Sequence, residues 1–146
     1  MVLLRPANAM GVRQMIKAKD IMKTGVLAVT KDTDIYEAIR IMVANNVTGL
    51  PVIDNDRVLV GIVTEKDVLT LLYNIEDRPG RVADFMTPTV VAFEQDQDIL
   101  VVAESLRANH FRRVPILNRG KLVGIISRKD VIRHIKAQYI NTEVSV

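Results

Sequence analysis

Twice in this chain a hydroxyl and a carboxylate stand three residues apart just where an apolar run ends. Thr64-Glu65-Lys66-Asp67 follows Gly61-Ile62-Val63, and Ser127-Arg128-Lys129-Asp130 follows Gly124-Ile125-Ile126. A β-branched run giving way to such a motif reads as a strand passing into a helix. A helix start leaves backbone N–H groups free and carries partial positive charge, so a phosphate can rest there beside a hydroxyl. A carboxylate one turn later, an acceptor only, suits the vicinal hydroxyls of a ribose. Together these groups fit a nucleotide. The same spacing is that of a capping box, in which hydroxyl and carboxylate do no more than satisfy the first helical turn, and for one isolated motif that is the commoner meaning. Arg112 and Arg113 add two cations just before Val114-Pro115, and the strand they open should begin near the helix start at Ser127. A solvated basic surface would use the same residues.

The motifs recur because the chain is an internal duplication. Gly61 to Val68 aligns with Gly124 to Val131 at a shift of 63, with five of eight residues identical. Upstream, Pro51 with Pro115, Asp34-Ile35 with Asp98-Ile99, Asp32 with Asp96, and Asp20 and Met22 with Asp84 and Met86 align at a shift of 64. The lost residue falls between the polar turns Asp54–Arg57 and Asn118–Lys121, where a change of length is tolerated. Each copy predicts the same order of elements. A short leading strand spans Gly25 to Val29 and Thr89 to Phe93. Ile35, Ala38, Ile39 and Met42, and likewise Ile99, Val102, Ala103 and Leu106, form the buried stripe of a helix starting at about Asp34 and Asp98. A hairpin follows at Leu50–Ile53 with Val58–Val63, and at Val114–Leu117 with Leu122–Ile126. A second helix runs from Thr64 to about Tyr73 and from Ser127 to about Gln138. The fold class is α/β (α+β), a β-α-β-β-α unit used twice: arm 1–17, repeat 18–73, linker 74–81, repeat 82–138 and tail 139–146. A unit of about 60 residues buries only about 60% of its unfolded surface. The copies should therefore pack sheet to sheet about a pseudo-twofold axis, leaving two clefts between them.

Composition excludes several classes. The 146 residues are 49% apolar, enough for a core, and contain no cysteine, so disulfides and thiolate chemistry are out. With only His110 and His134 as imidazoles, no metal set, triad or phosphate loop can be assembled, and no enzyme is expected. No apolar run approaches the roughly 20 residues of a membrane span, and no secretory leader is recognisable, which predicts a cytoplasmic protein. The net charge of +3 and a pI near 9.3 suit an anionic partner. Three Phe and three Tyr, scattered, offer no stacking platform for nucleic acid, which is not expected as a partner.

Taken together, the repeated signature resembles the cystathionine β-synthase (CBS) domains, whose tandem pair is called a Bateman module. The resemblance covers about Ala18 to Ile135: in each copy an Asp-Met start, an Asp-rich cap before an Ala-containing helix, a Val/Leu-Pro strand, and Gly-apolar-apolar-Ser/Thr-x-x-Asp. It implies a regulatory ligand between the copies, AMP, ADP, ATP or an adenosyl compound such as S-adenosylmethionine, whose binding shifts the module and alters a partner protein in trans. By the same resemblance Asp67 and Asp130 match positions that hold ribose, and Thr64 and Ser127 positions that meet phosphate or ribose. Arg112-Arg113 matches a basic pair that contacts phosphate, and Val26, Val90, Leu50 and Val114 match positions that enclose the base, though these four are also ordinary core residues. Thr48-Gly49 stands in the first copy where the second has Arg112-Arg113, so one strong site and one weaker or empty one are expected. A homodimer is implied as well. The alternative is a purely structural dimerisation module whose motifs are only caps.

Overall fold

A computed structural model describes residues 15–73 and 80–143, with side chains as far as Gln138. The greater part of the expected arm, linker residues 74–79 and the last three residues of the tail lie outside the described residues. The first copy contains α1 (Ala18–Ile21), α2 (Ile35–Asn45), the hairpin β1 (Gly49–Ile53) and β2 (Leu59–Thr64), and the single turn α3 (Glu65–Val68). The second contains a 3-10 turn at Val82–Asp84, then β3 (Phe93–Glu94), α4 (Ile99–Ala108), the hairpin β4 (Arg113–Asn118) and β5 (Lys121–Ser127), and α5 (Arg128–Glu143). Both hairpins are antiparallel, and β3 adds to β4 in parallel. This is an α+β fold built twice.

Local chemistry starts the long helices where expected. Asp34 Oδ1 accepts the Tyr36 N–H at 2.8 Å and Asp98 Oδ1 that of Leu100 at 2.9 Å, satisfying donors a helix start leaves free. Ile35, Ala38 and Met42 on α2, and Ile99, Val102 and Leu106 on α4, are buried in two separate cores. Strand residues alternate between those cores and the space between the sheets. Leu50, Val52 and Val63 enter the first core while Pro51 and Ile62 face the other sheet; Val114, Ile116 and Ile126 enter the second while Pro115 and Ile125 face back.

The predicted leading strands are shorter than expected. Gly25 adopts φ +67°, which breaks the extended run, and only Val29 pairs, exchanging bonds with Pro51 and Ile53 at 3.0 and 2.9 Å. In the second copy only Phe93 and Glu94 reach the ladder. The second helix of the first copy is also cut short, tightening into a 3-10 turn at Leu69–Leu72. There the Thr70 hydroxyl donates to the Asp67 carbonyl at 3.4 Å, in competition with the helical ladder. Its counterpart α5 runs past the expected Gln138 to Glu143.

Each repeat is completed by a piece of the other. The segment around α1 packs into the second core, with Ala18 fully buried among Ile99, Val102 and Leu106, while Val82, Phe85 and Met86 pack into the first. The backbone bonds repeat this exchange position by position. Ala18 N and Lys19 N donate to Gln97 and Gln95 carbonyls at 2.8 and 2.9 Å, and Val82 N and Ala83 N to Thr33 and Lys31 at 2.8 and 3.0 Å. Lys23 and Ile125 exchange two bonds of 2.9 Å, as Thr87 and Ile62 do at 2.8 and 2.9 Å. Two glycines permit this approach. A Cβ on Gly61 would lie 2.9 Å from the Thr87 carbonyl oxygen and 3.1 Å from Met86 Sδ, and one on Gly124 would collide with Met22 Sδ and lie 3.0 Å from the Lys23 carbonyl. At the opposite end of the sheets the hairpin tips are tied, with Leu59 N to Gly120 O at 3.0 Å and Leu122 N to Arg57 O at 2.9 Å. Among the described residues no helix is long and apolar enough to cross a membrane.

Replacing Gly61 by Ala is expected to destabilise the fold by about 1–3 kcal/mol, the scale of overpacking, and to lower the thermal midpoint by several degrees. An unchanged midpoint would mean that the exchanged segment is not held against β2.

Candidate functional site

Between the facing sheets, at the end remote from the tied tips, lies a cavity of about 330 Å³. Its first wall comes from the start of β1 and the end of β2: Thr48, Gly49, Pro51, Ile62 and Thr64, continued by Glu65 and Lys66. Its second wall is the matching part of the other copy: His110, Phe111, Arg112, Arg113, Pro115 and Ile125. The floor is thus apolar and the rim carries charge.

The basic pair of the second copy therefore meets the Thr64 motif of the first. Arg113 pairs with Ser127 in the β4–β5 ladder and Arg128 N donates to the Arg112 carbonyl at 3.1 Å, so the backbone does begin beside Ser127, as expected. Both side chains nevertheless line the cavity that holds Thr64. Arg128 steadies the approach: its Nε donates to the Leu106 carbonyl at 3.0 Å and its Nη2 to that of Asn109 at 2.7 Å. Arg113 Nε is buried with no hydrogen-bond partner among the described residues. A buried, charged donor left unpaired costs about 1–3 kcal/mol or more, and an acceptor in the cavity would relieve it once the Arg113 side chain turned toward it.

The two Ser/Thr-x-x-Asp motifs are both capping boxes, but their carboxylates differ. Asp67 Oδ2 accepts from Thr64 N at 2.9 Å and Thr64 Oγ1 at 3.0 Å, and Asp67 is half-buried. Among the described residues its Oδ1 has no partner. Asp130 is 6% exposed, and its Oδ2 accepts from Ser127 N at 2.8 Å and Ser127 Oγ at 2.9 Å. Its Oδ1 is held as well, by Arg133 Nη1 at 3.0 Å and Lys23 Nζ at 3.4 Å. Burial pushes the Asp130 carboxyl up, but the Ser127 N–H and hydroxyl and the Lys23 ammonium outweigh it and leave it below the ordinary range.

Of the residues picked out from sequence, Thr64, Arg112 and Arg113 line one cavity and Asp67 is bonded to Thr64 at its edge. Ser127 and Asp130 are absent from that lining. Leu50 and Val114, each 1% exposed, are core residues, and Val26 and Val90 are half-buried outside the cavity walls. Sequence reasoning passed over Lys66, His110 and Phe111 as site residues. Their adjacency to Thr64 and Arg112 was the available signal.

A model of the CBS domain matches residues 18–74 and 82–137. The chain is 36% identical over 126 residues to inosine-5'-monophosphate dehydrogenase of Methanocaldococcus jannaschii, covering 86% of this chain but only 25% of that one. It is similar in structure to CBSX2 of Arabidopsis thaliana, solved in complex with AMP, at 32% identity and TM-score 0.73, covering 82% of this chain and 95% of that one. It is also similar to the CBS domain pair of protein MJ0100, solved with 5-methylthioadenosine and S-adenosyl-L-methionine, at 26% identity and TM-score 0.69, covering 82% and 99%.

Because the Asp130 carboxylate is stabilised in the fold, its contribution is full above the ordinary carboxylate pKa of about 3.9 and is lost as pH falls through its depressed value. Asp130→Asn should therefore lower stability at pH 7 by about 1.5–3 kcal/mol, the scale of hydrogen bonds to a charged group. In denaturant titrations the gap to the unmodified protein should narrow below about pH 4.

Proposed function

The chain belongs to the CBS domain family as a tandem pair, and we propose that it is a regulatory module that binds an adenine nucleotide or adenosyl compound between its repeats. AMP, ADP, ATP and S-adenosylmethionine are the candidate ligands. The observation that carries this reading is the buried Arg113 Nε, a charged donor without an acceptor on the wall of a cavity whose other wall is Thr64. A phosphate would satisfy Arg113 and Arg112, and the open Asp67 Oδ1 would accept ribose hydroxyls. The apolar floor of Pro51, Ile62, Pro115 and Ile125 would enclose the base, and 330 Å³ lies within the usual range of small-ligand pockets. AMP bound to CBSX2 and the adenosyl ligands bound to MJ0100 support the ligand class. Among the described residues the lining holds no paired nucleophile and base, and binding is the work we propose for it. Ligand drawn between the two walls favours one spacing of the repeats, and that shift would be read by a partner protein in trans.

A homodimer would use the outer helices. An apolar groove of about 490 Å³ runs between α4 and α5, lined by Leu106, Val131, Ile132 and Ile135, and Ile132 is 62% exposed. The alternative, a structural dimerisation module without ligand, is favoured by one observation: both Ser/Thr-x-x-Asp motifs form complete capping boxes.

Thermal unfolding with each candidate separates the readings. A ligand at 100 times its Kd adds about 2.7 kcal/mol, or several degrees. By calorimetry Asp67→Ala should weaken the binding by about 1.5–3 kcal/mol, whereas Asp130→Ala should lower the midpoint without changing affinity at this cavity. No shift with any adenine compound would leave the structural reading. Replacing Ile132 and Ile135 together by Glu should convert a dimer to a monomer in light scattering.

A further inference from the structure

The cavity rim carries more positive charge than one phosphate group needs. Lys66 on one wall and Arg112 and Arg113 on the other, with the His110 imidazole beside them, stand against Glu65 in the lining and Asp67 at its edge. Glu65 pairs with none of them, and among the described residues no side-chain hydrogen bond or ion pair engages Lys66, His110 or Arg112. These donors are also graded in depth: Arg113 is half-buried with its Nε fully enclosed, while Arg112, Lys66 and His110 are exposed. A 5'-monophosphate seated on Arg112, Arg113 and Thr64 would leave Lys66 and His110 idle. A second and a third phosphate would extend outward between them, each adding negative charge where the surroundings are already cationic. An adenosyl sulfonium would bring positive charge to the same place, without a phosphate to offset it.

Building on the proposed adenine site, we infer that this cavity selects by phosphate charge, taking nucleoside di- and triphosphates in preference to the monophosphate and to S-adenosylmethionine. Lys66 and His110 are the residues that set that preference. Neither is needed to cap a helix or fill a core: Lys66 is exposed on α3, and His110 lies exposed in the turn that Arg128 holds through Asn109.

The test is calorimetry on the full chain with AMP, ADP, ATP and S-adenosylmethionine, repeated for Lys66→Met and His110→Gln. ADP and ATP should bind about tenfold or more tighter than AMP, and S-adenosylmethionine more weakly than AMP. Each variant should reduce the ratio of ATP to AMP affinity by about three- to tenfold, the range between a rim charge pair and a charge-assisted hydrogen bond. The ATP preference should shrink as salt rises, because exposed charges are screened. Thermal midpoints of the variants should match the unmodified protein, showing that they fold. AMP binding as tightly as ATP, or ratios unmoved in both variants, would overturn this inference and leave the adenine site standing. Binding of none of the four compounds would remove the site and the inference with it.

Discussion

The exchange of leading segments is the constraint on which the rest of this molecule depends. A repeat of this size lacks surface to bury, and here neither core is closed by its own sequence: Ala18 fills the second and Val82 the first. The exchange draws the two sheets face to face, because the same segments that plug the cores also bond to β2 through Thr87 and to β5 through Lys23. The cavity follows from that placement. Pro51, Ile62, Pro115 and Ile125 are left facing one another as the strand alternation turns their neighbours into the cores. Gly61 and Gly124 keep the approach close by having no side chain in the way.

Most of this was legible where the cause is local. Asp34 and Asp98 announce their helices because a cap acts within three residues, and the deletion between the two hairpins lies in the turns, where it does not disturb the register. The leading strands were overdrawn because β-branched composition reports only suitability for a ladder. Pairing also needs a free neighbouring edge, which Val29 and Phe93–Glu94 reach and the residues before them do not. The exchange itself was not legible, since it joins residues 25 to 102 positions apart. Its trace was present all the same, in Met22 and Met86, which recur at an offset of 64 beside two glycines that recur at 63. For the site, the motif residues were found but their partners were not assignable. Arg112 and Arg113 belong by backbone to the strand beside Ser127, yet serve the cavity of Thr64, and only the packing of one sheet on the other decides that.

Duplication has left two equivalent motifs in unlike surroundings. Asp67 keeps one oxygen open beside the cavity, while both oxygens of Asp130 are engaged, one by its own cap and the other by Lys23 and Arg133. Lys23 comes from the exchanged segment, so Asp130 helps to hold the two repeats together. One copy of the motif has become part of the frame. The other has kept a free acceptor, and the basic pair has accumulated on the wall that faces it.

The tied hairpin tips would let the two sheets work like tongs. Leu59 and Gly120, with Arg57 and Leu122, fasten the sheets at one end, and the charged rim lies at the other, a strand's length away. Over five or six residues that arm is roughly 17–20 Å. A turn of a few degrees about the fastened end would part or close the jaws by roughly 1–2 Å. The long helix α5, which leaves the second jaw directly from β5, would swing with it and carry the movement to the outer surface.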